Sequence, residues 1–166
     1  MSSANAQGKG APIYFLQQGD RLSDIAERNP ITPVVKLLLQ PALPSSPFDP
    51  IPGTPLHEIT ALIDTGAEGV YIDEDFAHQN GFLSERTMTV HSASATTIEP
   101  VYPALFILQG SSTHYKQAAE FTSVPLRKNG RHYDAILGMQ FLSNGVLVMD
   151  FDSNTFRFEF TTKPDK

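Results

Sequence analysis

The seven residues Ala61-Leu62-Ile63-Asp64-Thr65-Gly66-Ala67 constrain this chain more than any other stretch. Three apolar residues run into Asp-Thr-Gly, and a small residue follows. The run reads as a short buried strand that ends in a tight turn. No basic residue stands beside Asp64 in sequence, and an unpaired carboxylate is costly to bury. Sharing a proton with a second carboxylate is one way to meet that cost. Asp-Thr-Gly is by itself also a common turn, because Asp and Gly both favour turns.

A second stretch adds weight. Asp134-Ala135-Ile136-Leu137-Gly138-Met139-Gln140-Phe141-Leu142 begins 70 residues after Asp64. It reads as an apolar pair, a glycine, and a short helix ending in Phe-Leu. The two motifs, in this order, resemble the retropepsin-like aspartic proteases over roughly residues 31–160. The resemblance implies an all-β fold with short helices: a retropepsin-like acid protease barrel, one lobe per chain. It implies an aspartic endopeptidase with catalytic Asp64, Thr65 and Gly66. Substrate would be held by Ala67, Glu68, Ser92, Ala93, Ser94 and Ile136.

Each residue type suits that chemistry. Two carboxylates about 3 Å apart cannot both ionise, so one pKa rises and one falls. The neutral member donates a proton while the charged member deprotonates a water. The Thr65 hydroxyl both donates and accepts, and the resemblance has it link two loops across a dimer. Gly66 and Ala67 lack bulk, so backbone N–H groups can come close to carboxylate and substrate. Gly138 would let its segment pack against the Asp-Thr-Gly loop. Glu68 has two readings, a contact to substrate backbone or a solvated loop carboxylate.

Composition narrows the alternatives. The chain has 166 residues, enough for one domain with a core. A formal charge of −6 argues against non-specific nucleic-acid binding. The absence of Cys excludes disulfides, thiolate metal sites and cysteine nucleophiles. No apolar run approaches the roughly 18 residues of a membrane span. With no signal-peptide core, the chain as it stands reads as cytoplasmic; a trimmed leader would leave export open. His57, His78, His91, His114 and His132 show no metal-ligand spacing. No cofactor and no metal are expected.

Along the chain, residues 1–30 read as a loose arm with short elements. Within them, 1–11 form the arm, Ile13–Leu16 a short strand and 20–29, with Leu22, Ile25 and Ala26 at helical spacing, a short helix or turn. The protease domain is 31–161, and 162–166 is a tail. Thr32–Leu39 reads as a strand. Residues 41–55 hold six prolines and read as an extended surface loop, which no central strand tolerates. Val70–Ile72 is a strand. Asp73 N-caps a helix over Glu74–Asn80, ended by Gly81, so Asp73, Glu74 and Asp75 are a capped helix start rather than metal ligands. Thr87–His91 and Val101–Leu108 are strands around Ser92-Ala93-Ser94-Ala95-Thr96-Thr97. By resemblance that hairpin is the flap over the cleft, here without a tip glycine and with Pro100 and Pro103 limiting the returning ladder. Tyr115–Val124 is a strand, Lys128-Asn129-Gly130 a turn. Gln140 stands where many relatives carry Asp or Asn. Val146–Phe151 and Thr155–Thr161 form a hairpin that serves either the core or a dimer interface.

Asp-Thr-Gly occurs once, and too few residues follow 161 for a second lobe. A dyad then requires a homodimer, with each chain supplying one Asp64. The expected partners are a peptide or protein substrate and a second copy of the chain. The alternative is a catalytically inactive, dimeric binding or scaffold module on the same fold.

Overall fold

The structure is a computed structural model and describes residues 10–26, 31–110 and 116–161. It is all-β with short helices, as expected. Six strands close a barrel: β4 (Pro33–Leu43), β6 (His57–Ile63), β11 (Ala135–Leu137), β7 (Val70–Asp73), β10 (Gln117–Val124) and β9 (Thr96–Leu108), which returns to β4. Alternation along β6 explains the interior. Ile59, Ala61 and Ile63 point inward and are buried, and they meet Val35, Leu37 and Leu39 of β4 and Ala135 and Leu137 of β11.

β2 (Tyr14–Leu16) pairs with the start of β4 and with β3 (Leu22–Ser23). A helix over 20–29 is therefore not formed where the chain is described. Leu22 and Ser23 follow a turn into a hairpin instead, and residues 27–30 lie outside the described residues. The N-terminal arm is likewise tied down at its end. β1 (Ala11–Pro12) pairs with β13 (Thr155–Phe160), and Ala11 is fully buried. Residues 1–9 and the tail 162–166 lie outside the description.

The proline-rich stretch departs from the expected loop. β4 continues through Pro41 to Leu43, turns at 44–45, and returns as β5 (Ser46–Pro50). The prolines are tolerated because β5 is an edge strand that pairs only with β4, and the register shifts there. The flap arm departs too. β8 (Arg86–His91) pairs with β9, which runs unbroken through both prolines. Pro100 lies one residue beyond the β10 ladder. Pro103 lies between the last β8 pair, Arg86↔Val101, and the first β4 pair, Pro41↔Ala104. A missing N–H costs least where ladders end.

Helix α1 (Glu74–Gln79) follows β7, and α2 (Met139–Leu142) follows β11. The Asp73 carboxylate is fully buried and caps α1: Oδ2 accepts from Phe76 N at 3.0 Å. Its Oδ1 accepts from Leu126 N and Arg127 N, both at 2.9 Å. Gly81 closes the helix with φ +76. β12 (Gly145–Asp150) and β13 form the expected C-terminal hairpin. Phe156 and Phe158 are buried in the main core, so one face of this hairpin serves the core.

Candidate active site

β6 ends at Ile63 and passes Asp64 into a tight turn. Asp64 N donates to Leu137 O at 3.1 Å, and Ala67 N donates back to Asp64 O at 3.2 Å. Gly66 N donates to Asp64 Oδ1 at 2.9 Å. A Cβ on Gly66 would stand 3.2 Å from that oxygen, so the small residue permits the approach. Asp64 is half-buried, while Thr65 and Gly66 are exposed. Among the described residues no Lys, Arg or His forms an ion pair with Asp64.

The loop is held from behind by the start of α2. A helix leaves its first N–H groups without internal partners. Here Gly138 N donates to Gly69 O at 2.9 Å, Met139 N to Ala67 O at 2.8 Å and Gln140 N to Glu68 O at 2.8 Å. A Cβ on Gly138 would come within 2.4 Å of Gly69 O and 2.5 Å of Ala67 O. Gly138 therefore packs on the Asp-Thr-Gly loop as the sequence implied, and no side chain fits there. The Gln140 side chain is exposed. Bracing at this position comes from its backbone: N–H to Glu68, and carbonyl accepting from Asn144 Nδ2 at 3.1 Å.

Ile136 stands opposite Leu62 in the parallel β6–β11 pair. Leu62 lies two residues before Asp64 on the same strand face, so Ile136 is brought beside Asp64. On that face Leu62 and Ile136 pack with buried Tyr133, Leu16, Val34 and Leu126. Burial pushes the Tyr133 hydroxyl pKa up; the Arg131 charge opposes this and the Asp64 charge adds to it. Sequence reading did not single out Tyr133. The signal available was an aromatic residue just before the strand that carries Ile136.

Ser92, Ala93 and Ser94 form an exposed hairpin tip. Ser92 N donates to Ala95 O at 2.8 Å, and Ala95 N donates to Ser92 Oγ at 3.2 Å. This side-chain bond closes the tip without glycine. A cavity of about 690 Å³ lies between the β8 arm and the loop after Asp64, lined by Glu68, Tyr71, Met88, His91, Phe106 and Gln140 among others. Glu68 and the hairpin arm thus share one cavity, whereas Asp64 and the tip residues Ser92–Ser94 do not line it. The Arg86–Glu120 ion pair stands in its wall and holds the Glu120 carboxyl below its usual range through hydrogen bonding, against a smaller opposing effect of burial.

Residues 51–141 match the aspartyl protease family. No curated protein matches the chain. Among solved structures, the chain is similar to the simian foamy virus (mac) protease at 19% identity and a TM-score of 0.41, covering 66% of this chain and 91% of that one. It is also similar to a foamy viral protease-reverse transcriptase in complex with an RNA/DNA hybrid, at 21% identity and a TM-score of 0.40, covering 64% of this chain and 12% of that one. The family match spans more than half of the 166 residues and contains the Asp64 loop, the β8–β9 hairpin and the start of α2, so this chain belongs to the aspartyl protease family.

Proposed function

We propose that the protein is an aspartic endopeptidase whose active species is a homodimer, with a water activated between two copies of Asp64. One observation carries this reading. The Asp64 carboxylate is fixed by Gly66 N at 2.9 Å and lies in a loop that α2 holds from behind, next to exposed Thr65 and Gly66. One side of the loop is thus locked and the other is open to a symmetric partner and a substrate.

Two such carboxylates share one proton. The ionised member takes a proton from the water as its oxygen attacks the peptide carbonyl carbon, and the neutral member protonates the carbonyl oxygen. Collapse of the tetrahedral carbon then breaks the C–N bond, and the nitrogen leaves with a proton returned by the dyad. Thr65 joins the two loops across the axis. Ala67, Glu68 and Ile136 bind substrate beside Asp64, and Ser92–Ser94 close over it at the tip of the β8–β9 hairpin, excluding water.

The decisive experiment is cleavage of a peptide library from acidic to neutral pH, with and without pepstatin, over a protein dilution series. Pepstatin-sensitive cleavage with a bell-shaped pH profile is expected, and specific activity should fall on dilution through the dimer dissociation constant. A dimer that cleaves nothing at any pH would instead be the scaffold module.

A further inference from the structure

Cross-strand pairs put four residues in one row on the outer face of the barrel sheet. Tyr14 stands opposite Val34, Val34 opposite Leu62, and Leu62 opposite Ile136. Residues directly opposite one another share a face. The row therefore runs from β2 to the face beside Asp64. Alternation along β2 adds Leu16 to that face, and Leu22 stands opposite Leu16.

One part of this face is covered and the next is open. Val34 is fully buried, packed with Leu16, Leu126 and Tyr133. Leu62 and Ile136, in the next two strands, are only partly buried. The cover comes from two segments, the β2–β3 hairpin and the loop 125–134 between β10 and β11. It ends where the face beside Asp64 begins, and so stands as a wall along it.

The two segments are clipped together. On the loop side, Asp134 N donates to Thr60 O at 2.9 Å, and Arg127 donates to the Asp134 carboxylate from Nε at 2.9 Å and Nη2 at 3.2 Å. On the hairpin side, Gln17 N donates to Arg21 O at 2.9 Å and closes the turn that presents Asp20. Asp20 Oδ1 accepts from Arg127 Nη1 at 3.0 Å, and His132 Nδ1 stands 3.2 Å from the same oxygen. The hairpin precedes residue 51, where the family match begins, so family membership assigns it no role.

We infer that the β2–β3 hairpin is a wall of the substrate site, held by Asp20 as a positioning residue and backed by Leu22, and that it selects a large apolar side chain next to the scissile bond. The inference rests on the endopeptidase reading above, which places substrate on Ile136. A side chain lying on Leu62 and Ile136 alone would be covered on one side and wet on the other. Against the wall it is enclosed on two sides, and the gain from burial grows with its apolar area. A methyl group gains little from such a wall, and a benzyl group gains most. Asp20 acts without touching substrate. Its side chain is 69% exposed, and its removal leaves Arg127 both bonds to Asp134.

The probes are three statine peptides, alike except for the statine side chain: methyl, isobutyl or benzyl. Calorimetry on the full chain should show benzyl bound at least tenfold more tightly than methyl. Asp20→Ala should cut that ratio at least fourfold. Asp20→Glu keeps a carboxylate for Arg127 and should retain most of it. Leu22→Ala opens the wall without touching the clip and should cut the ratio at least threefold. A ratio compares two ligands on one folded protein, so lost stability alone does not move it. Equal affinities in the wild type, a ratio unchanged in Asp20→Ala or in Leu22→Ala, or no binding of any probe would overturn the wall. Cleavage is scored separately, on peptides with Phe or Ala before the scissile bond. Asp20→Ala should raise KM for the Phe peptide at least fourfold and leave kcat nearly unchanged. A chain that binds the probes in the expected order and cleaves nothing keeps the wall and loses the endopeptidase reading.

Discussion

The Asp64 loop and the 92–95 tip of the β8–β9 hairpin are both tight turns carrying residues assigned to one site, yet they are held in opposite ways. The Asp64 loop is bonded to two other elements. Asp64 N reaches β11, and Gly69, Ala67 and Glu68 accept from the start of α2. The bonds that close the hairpin tip among the described residues are local, three between Ser92 and Ala95, two of them through the Ser92 hydroxyl, and one between the His91 and Thr96 side chains, and the tip residues are exposed. A reacting carboxylate must hold its geometry through the reaction, and that needs neighbours from several parts of the chain. A cover must move, and that needs bonds that belong to itself alone.

The largest expected effect tests the fixed side of this contrast. Asp64→Asn keeps the shape of the side chain and removes its charge. Cleavage should be abolished while the thermal unfolding temperature changes little; a fully active variant would sink the dyad. Gly138→Ala tests the lock itself. A methyl group 2.4 Å from Gly69 O forces backbone to move, so the variant should lose about 3 kcal/mol in urea unfolding, and activity with it. Wild-type stability in Gly138→Ala would mean that the loop is looser than its bonds suggest.

Arg127 offers a smaller, pH-dependent effect. Its guanidinium bonds Asp134 Oδ1 at 2.9 Å and Oδ2 at 3.2 Å, and Asp20 Oδ1 at 3.0 Å. This ties the β2–β3 turn to the chain just before β11. The Arg127 hydrogen bond holds the Asp20 carboxyl below its usual range, against a smaller opposing effect of burial. A carboxyl with a depressed folded pKa stabilises the fold above its unfolded pKa, and that stability is lost as pH falls through the folded value. Arg127→Ala should therefore cost about 1 kcal/mol at neutral pH and less in acid, because the pair with exposed Asp20 is screened by solvent. Denaturant curves at pH 7 and in acid decide this; a loss equal at both would show that Asp20 contributes nothing.

The subtlest prediction concerns the hairpin tip, which the proposed function requires to move. Amides of residues 90–97 should exchange fast and slow several-fold when pepstatin binds, while amides of Asp64, Ala67 and Gly138 stay protected throughout. Equal protection of the hairpin with and without inhibitor counts against a moving cover.

Local chemistry alone determined much of this protein. An apolar run into Asp-Thr-Gly fixed a strand and a turn, Asp73 and Gly81 bounded a helix, and alternating Phe156 and Phe158 marked a buried face. Each rests on periodicity or on a residue's own backbone preference, which neighbours in sequence suffice to express. Tertiary structure decided what depends on where a segment lies. Leu22, Ile25 and Ala26 have helical spacing, but Leu22 and Ser23 became a strand, because β2 offers them an edge. Pro41 sits inside β4, although prolines argue for a loop, because its missing N–H falls at the end of a ladder. Gly138 took a place against the Asp64 loop, 74 residues away in the chain, because the parallel pairing of β6 with β11 carries both motifs to the same end of the barrel. Which side of β12 pairs with β13 is likewise invisible in sequence, where Gly-Val-Leu-Val-Met reads only as a strand; it is set by the order of the sheet among the described residues.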